Sequence, residues 1–460
     1  MDLRFKIHNS HLDNPKTFAK NDPYLRELRK LPLQYRYSIL DSLPRDCPGI
    51  YTITGGRQIG KTTLLKMWMS ELLDSGIVPG QIAYFSGELI DDHHSLVNII
   101  TEQLDHQSDT SLSYIILDEI TYIRNWDKGI KFIADAGLLS NCVMILTGSD
   151  SIVIREARMR FPGRRGSASV VDFHLFPLTF LETVKLKRLF TIKQLDNLLD
   201  ENIIDFNDKI IQKLFVAFDD FLLHGGYLTA INDLKQHNEI RPATFNTYCD
   251  WIRGDILKRG KQENYLREIL NAIVKRYGSQ ITWNNLSADL SIDHPATIAD
   301  YVELLTSLDV LFVQHAIRED KLSYAPKKAK KVMMTDPFIF HSVRSWLQPV
   351  GNPFKEQASM VIKDKELAGK LTEASVATHI KRFFPTYYIK GKGEVDIAYV
   401  DGKTFFPIEI KWTKQIRSKD LKQVLKYPNA RIWSKSFQFG KINELPLEPL
   451  PIALLRFGAD

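Results

Sequence analysis

Two groups of residues in this chain have types and spacings that could do chemistry. In "GIYTITGGRQIGKTTLLK" the spacing Gly55-x4-Gly60-Lys61-Thr62 falls where a short apolar run gives way to a helical pattern. Glycines let the backbone wrap closely round a phosphate, and successive N–H groups at a helix N-terminus stabilise its charge. Gly55, Gly56, Arg57, Gln58, Ile59, Gly60, Lys61, Thr62 and Thr63 are therefore the expected cradle for ATP. Lys61 would reach the β- and γ-phosphates and the Thr62 hydroxyl would ligate Mg²⁺. The partner is "SYIILDE", an apolar run ending in Asp118 and Glu119. Asp118 would hold the Mg²⁺ through water and Glu119 would polarise the attacking water. The next run, "CVMILTGSDS", ends in Thr147 and Ser149, either of which could sense the γ-phosphate or cap the strand. "REARMRFPGRRG" then offers five arginines. Arg164 and Arg165 are the best candidates for completing a neighbouring subunit's ATP site. A solvated basic loop is the other reading of any one of them.

The second group is "EVDIAYVDGKTFFPIEIKW", residues 394–412. Its "DGK" marks a turn, and pairing the flanking runs around a four-residue loop, Val400–Lys403, sets Asp396 opposite Pro407 and Glu394 opposite Glu409. Pro407 then falls at a non-hydrogen-bonded position, where its missing N–H does no harm. Period two puts Asp396, Glu409 and Lys411 on one face, the two carboxylates being diagonal neighbours with Cβ atoms roughly 7–8 Å apart. They could share Mg²⁺ or Mn²⁺ at ~2.1 Å from each oxygen. Lys411 beside them could position water or steady the charge on a scissile phosphate. The helical "GKLTEASVATHIKRFF" brings Glu373 as a third acidic ligand, and "SKDLKQVLKYPNARIWSK" reads as a following helix and strand.

The elements that must position these groups are an α/β pattern in several parts. Residues 1–48 are a polar, basic N-terminal extension. From 49 to 172 short apolar runs alternate with helices, the pattern of a parallel sheet covered on both faces and here the ATPase core. Residues 173–261 read as a helical lid. Residues 262–347 form a middle module of two helices and two strands, and 355–460 a third α/β unit after the break "QPVGNPF". In the middle module Asp293 is the expected N-cap, with Pro295 in the first turn. Ile298, Val302 and Leu305 face inward. The basic run containing Lys327, Lys328, Lys330 and Lys331 precedes the strand "KKVMMTD".

Three resemblances attach to these motifs. "TGGRQIGKTTLL", "ILDEITYIRNWDKGIK", "LTGSDS", "PGRR", "LFPLTFLE" and "LHGGYLTAI" resemble the AAA+-related P-loop ATPases of archaea and bacteria that end in a nuclease-like domain. Two departures are Thr/Ser in place of the usual sensor asparagine and Leu228 where this group often carries proline. The middle module resembles a winged helix, which implies contact of the four lysines with a DNA backbone. The order helix, three strands, helix, strand resembles the PD-(D/E)XK core, and "QVLKY", Gln423 to Tyr427, is similar to the Q-h-x-x-Y element of RecB-like nucleases. That implies catalytic roles for Glu373, Asp396, Glu409, Lys411, Gln423 and Tyr427. The AAA+ resemblance also implies a homo-oligomer, of which a hexameric ring is one form.

Composition sets the outer bounds. At 460 residues, 44% hydrophobic and 25% charged, with a formal charge of +6, the chain can fill several cores and has a mild preference for anionic partners. Cys47, Cys142 and Cys249 are scattered, against disulfides and structural zinc. No apolar run reaches the ~20 residues of a membrane helix, and the N-terminus has no apolar leader. The expectation is a cytoplasmic protein away from membranes. The function expected is a DNA-dependent ATPase, moving on or remodelling duplex or branched DNA, coupled to a metal-dependent nuclease domain in genome maintenance, recombination or defence. The alternatives are an ATP-dependent switch or scaffold whose nuclease-like domain binds without cutting, and a protein-remodelling ATPase.

Overall fold

The computed structural model describes residues 3–105, 111–149, 151–161, 163–413 and 415–458. The chain divides into two compact units, Met1–Phe176 and Pro177–Asp460. The first is built on five parallel strands: β1 Gly49–Thr54, β2 Ile82–Ser86, β3 Ser113–Asp118, β4 Cys142–Gly148 and β5 Asp172–His174. Their order is β2-β3-β4-β1-β5. Every residue of β1, β3 and β4 is buried, which is why these runs are continuously apolar instead of alternating. The helices His93–Asp105 and Trp126–Asp135 cover one face. The helix Lys61–Asp74 covers the other, with Trp68 set edge-on against Tyr114.

The N-terminal extension belongs to this unit. Phe5 stacks edge-on against Phe85, and the Asn9 amide closes the open edge of β2. Its Nδ2 donates to the Tyr84 carbonyl at 2.7 Å and its Oδ1 accepts the Tyr84 N–H at 2.8 Å. One side chain thus does the work of a missing strand at an edge that would otherwise present unpaired groups. Lys66, fully buried, is satisfied from the same segment: it donates to the His8 carbonyl at 2.7 Å and lies 3.5 Å over the Tyr84 ring.

The second unit begins with six helices, Phe180–Leu186, Ile192–Leu199, Asp208–His224, Leu228–His237, Pro242–Lys258 and Glu263–Lys275. Thr179 and Thr191 start the first two with reciprocal capping boxes to Glu182 and Gln194. A three-stranded antiparallel sheet follows, in the order β6-β10-β7: β6 Gln280–Ile281, β7 Leu311–His315 and β10 Lys330–Met334. A small hairpin, β8 Ile317–Arg318 with β9 Ser323–Tyr324, lies between β7 and β10 in sequence. One expectation for this module is corrected. The helix Pro295–Ser307 has His294 at its N-cap, one residue later than Asp293. The last strand starts at Lys330, where the stretch "KKVMMTD" begins, and it carries Lys331 inward.

The final sheet has the order β11-β12-β13-β14-β16-β15. Its strands are β11 Thr386–Lys390, β12 Glu394–Asp401, β13 Thr404–Lys411, β14 Arg431–Ser434, β15 Gly440–Ile442 and β16 Leu445–Pro449. The helix Lys365–Ile380 packs on β12 and β13. The hairpin register differs from the expected one by two residues: Asp401 pairs Thr404, Ala398 pairs Pro407 and Ile397 pairs Ile408. Gly402, at φ +56, takes the first position of a two-residue turn, the place a type II′ turn reserves for glycine. Counting back from the turn, Pro407 is non-hydrogen-bonded in this register as well, so proline could not choose between the two. A slip of two leaves every side chain on its face. The expected helix around "QVLKY" is instead two 3₁₀ turns, Ser418–Leu421 and Val424–Lys426.

Among the described residues no single helix is long and apolar enough to cross a membrane. The edge closure of β2 is testable. Asn9→Ala should weaken local protection by about 2 kcal/mol, since it leaves a buried donor and acceptor unmet. Hydrogen exchange at the Tyr84 amide should then speed roughly 30-fold; unchanged exchange would show that another group caps the edge.

Candidate functional site

In the first unit β4 lies between β1 and β3, so the ends of all three meet at one place. The loop after β1 is held open by backbone that only small residues tolerate. Gly60 sits at φ +102, and a Cβ there would fall 2.3 Å from the Tyr37 hydroxyl, which donates to the Ile59 carbonyl at 2.8 Å. Lys61 is buried and donates to the carbonyls of Gly55 and Gly56 at 2.9 and 3.1 Å, with Glu119 at 3.9 Å. Thr62 Oγ1 donates to Asp118 Oδ2 at 2.7 Å. The Tyr84 hydroxyl donates to the same oxygen at 2.5 Å. Thr147 Oγ1 donates to Asp118 Oδ1 and accepts the Glu119 N–H at 3.1 Å, and Ser149 Oγ donates to Glu119 Oε1 at 2.8 Å. Asp118 is therefore held by three hydroxyls.

Glu119 adopts left-handed backbone, φ +52, an unfavourable state for a non-glycine residue, and its Oε2 is buried with no hydrogen-bond partner. An orphaned carboxylate oxygen beside a phosphate loop suits a group that must orient a water. The open cleft here, about 470 Å³, is lined by Arg57, Gln58, Gly60 to Thr63, Asp118 and Glu119. His8 and Tyr24 of the N-terminal segment and Tyr84 of β2 also line it. Tyr84 was not legible as a site residue, because a tyrosine inside a buried strand reads as core.

Arg164 and Arg165 do not join the cleft. Arg165 is largely buried against Asp172 of β5 and donates to the Val171 carbonyl at 3.0 Å, and Arg164 pairs with Asp135. Within this chain both are held by ion pairs with carboxylates.

In the second unit a cluster of carboxylates forms on β12, β13 and the helix Lys365–Ile380. One oxygen each from Glu373, Glu394 and Asp396 lies within 4.8 Å of the others. Continuing the hairpin register sets Asp396 across from Glu409 and Glu394 across from Lys411. Asp396 Oδ2 accepts the Ile410 N–H at 2.8 Å. Glu409 is 3% exposed; one oxygen takes a hydrogen bond from Lys411, and Oε2 is buried without a partner. Burial and then the Asp396 carboxylate push Glu409 well above the ordinary carboxylate range. Burial likewise raises Glu373, partly offset by Lys331.

Lys331 is the unexpected member. It is 1% exposed, donates to Glu373 at 2.6 Å and pairs with Glu394. Burial alone would lower this ammonium, but Glu373, Asp396 and Glu394 more than reverse that and hold it protonated. Of the four lysines expected on a DNA-contacting wing, Lys331 is thus internal, and Lys330 is half-buried with its ammonium 4.5 Å over Trp283. Lys327 and Lys328 remain exposed on the loop. Gln423 accepts the Gly393 N–H, one residue before Glu394, at 3.3 Å, and the Tyr427 hydroxyl donates to Glu319 at 3.0 Å. Glu394 had a signal, its period-two spacing from Asp396. Lys331 had only its place in an apolar strand.

The parallel sheet, phosphate loop and acid-bearing strand define an AAA+ P-loop ATPase-like fold, and residues 48–184 match the family described as an AAA domain. ATP and Mg²⁺ are the ligands generally expected of such an ATPase. Residues 216–349 match a domain of unknown function, DUF8612. Among curated proteins the chain is 24% identical over 467 residues to an uncharacterized protein of Methanocaldococcus jannaschii, MJ1637, covering 93% of this chain and 91% of that one. It is 22% identical over 274 residues to an uncharacterized Haemophilus influenzae protein, covering 57% of this chain and only 61% of the relative's length. Among solved structures, the Walker-type ATPase PABY2304 of Pyrococcus abyssi aligns at TM-score 0.41 and 13% identity, over 64% of this chain and 91% of that one. The Aeropyrum pernix Orc1 protein, solved in complex with DNA, aligns at 0.31 and 12%, over 73% and 96%.

Glu119→Gln should cut ATP turnover ~10²–10⁴-fold while leaving nucleotide binding in place. Full turnover by that variant in a phosphate-release assay would remove Glu119 from the chemistry.

Proposed function

We propose that this chain is an ATP-driven machine that acts on DNA and carries a divalent-metal site for phosphodiester hydrolysis in its second unit. The observation that supports this most is the convergence of Glu373, Glu394 and Asp396, with Glu409 paired to Lys411 on the neighbouring strand, in the same chain as a phosphate loop with its paired acids. In the first unit Thr62 and Asp118 would hold Mg²⁺, and their existing 2.7 Å contact suits two groups that share an ion. Lys61 would leave its loop carbonyls for the phosphates, and Glu119, fixed by Ser149, would orient water. In the second unit the buried, unpartnered Oε2 of Glu409 and the crowded oxygens of Glu373 and Asp396 fit Mg²⁺ or Mn²⁺. Such an ion, when bound, supplies Lewis-acid polarisation of a phosphoryl oxygen. Lys411, already bonded to Glu409, would hold the water or the phosphate charge. Lys327 and Lys328 would contact the DNA backbone, and a homo-oligomeric ring, six-fold in one form, would be the working assembly.

One observation favours a second reading, an ATP-dependent switch whose C-terminal domain binds DNA or protein without cutting: the Lys331 ammonium neutralises the carboxylates from within. Side-by-side assays on linear, nicked and four-way DNA separate the two. The nuclease reading expects cleavage with Mg²⁺ or Mn²⁺ that Asp396→Ala and Lys411→Ala abolish; cleavage unchanged in both variants defeats it. ATP turnover that no DNA alters defeats the motor. For the wing loop, alanine at Lys327 and Lys328 should flatten the salt dependence of DNA affinity by up to about two in log–log slope, ~0.9 for each phosphate contact. An unchanged slope means those lysines touch no phosphate.

A further inference from the structure

Lys331 lies where its chemistry is least expected. The strand around it is apolar, Val332, Met333 and Met334 being buried, and a lysine in such a strand normally turns its ammonium to solvent. Its neighbour Lys330 does part of this, lying over Trp283. Lys331 instead sends its ammonium to Glu373 and Glu394, two of the three carboxylates whose oxygens converge within 4.8 Å. Tyr388 closes it in, its ring centroid 5.5 Å away. The backbone is equally fixed. Lys331 pairs with Gln280 of β6 and Gln314 of β7, Gln280 donates to Glu394, and Gln314 Nε2 donates to the carbonyls of Tyr387 and Asp396 at 3.0 Å each. The middle sheet is thereby bonded to the strand that carries the acids.

We infer that Lys331 is a tethered cation filling the metal position of the carboxylate cluster, so that a divalent ion enters only as this side chain withdraws. This rests on the reading of the cluster as a divalent-metal site. The buried, unpartnered Oε2 of Glu409, across the hairpin from Asp396, is a further ligand oxygen that Lys331 leaves unused. An ammonium bonded to Glu373 and paired with Glu394 lies within a few ångströms of any ion held by Glu373 and Asp396, so the two cations repel and compete. The device is an internal contact that keeps the site metal-poor until the middle sheet shifts or the side chain changes rotamer. A polyanion drawn to the adjacent loop of Lys327 and Lys328 would act on the same strand.

The test is Mn²⁺ binding to the nucleotide-free full chain, read by electron paramagnetic resonance of free Mn²⁺, with Asp118→Asn present throughout to silence the first site. Lys331→Met should bind Mn²⁺ on the order of tenfold tighter or more, because a cation within a few ångströms of the ion is gone. Adding Asp396→Asn should erase the gain. Equal or weaker binding by Lys331→Met overturns the inference. Should Lys331→Met not fold with its carboxylates uncompensated, Lys331→Met/Glu373→Gln removes one charge of each sign. It should still bind Mn²⁺ tighter than Glu373→Gln alone, and equal binding overturns the inference in the same way. A cleavage assay on the same samples keeps the two ideas apart. Tighter Mn²⁺ binding with DNA left uncut upholds the tethered cation and removes the nuclease; cutting by the chain with Lys331 intact and no gain on its removal does the reverse.

Discussion

Carboxylates brought together out of bulk water must be met by positive charge, and that constraint organises the second unit. Glu373 comes from a helix, Glu394 and Asp396 from β12 and Glu409 from β13. Each is drawn to one spot on the final sheet, where mutual repulsion and lost hydration would be costly without a counter-ion. Two lysines answer it from different sides: Lys411 from β13 itself and Lys331 from β10 of the middle sheet. The second of these turns an electrostatic need into a structural link. The middle sheet and the final sheet are joined through Lys331, Gln280 and Gln314, all directed at β12 or its acids.

The first unit meets a related demand by other means. Asp118 is 4% exposed, and hydroxyls of Thr62, Tyr84 and Thr147 fill its oxygens. Those donors come from the phosphate-loop helix, β2 and β4, so the sheet order determines which side chains can reach the acid. The N-terminal segment enters the same economy of polar groups: its Asn9 finishes the edge of β2, and its His8 carbonyl takes the proton donor of Lys66 beneath Tyr84. A stretch that reads as a loose basic extension is in fact a structural part of the nucleotide cleft, to which His8 and Tyr24 contribute.

What was legible in the sequence was whatever lies contiguous along it. The phosphate loop, the Asp118-Glu119 strand end and the runs of β1, β3 and β4 each declare themselves within a few residues. The face shared by Asp396, Glu409 and Lys411 was legible too, because period two survives a register error of two. The register itself was not, since a glycine at 402 permits a two-residue turn and Pro407 is harmless in either pairing. The fate of Lys331 was hidden for a different reason. A run of lysines at 327–331 has one meaning as a solvated loop, and only the three-dimensional position of Glu373 and Glu394 selects the single lysine that turns inward. Arg165 shows the same limit: Asp172, which captures it, is seven residues away yet belongs to the next strand.

The most direct measurement of the carboxylate cluster as a cation site is anomalous diffraction from crystals of the full chain soaked in Mn²⁺. The expected result is a manganese peak bonded to Glu373, Asp396 and the free oxygen of Glu409, with Lys331 turned away from Glu373. Lys331 still bonded to Glu373, with no manganese at the cluster at saturating Mn²⁺, would contradict it.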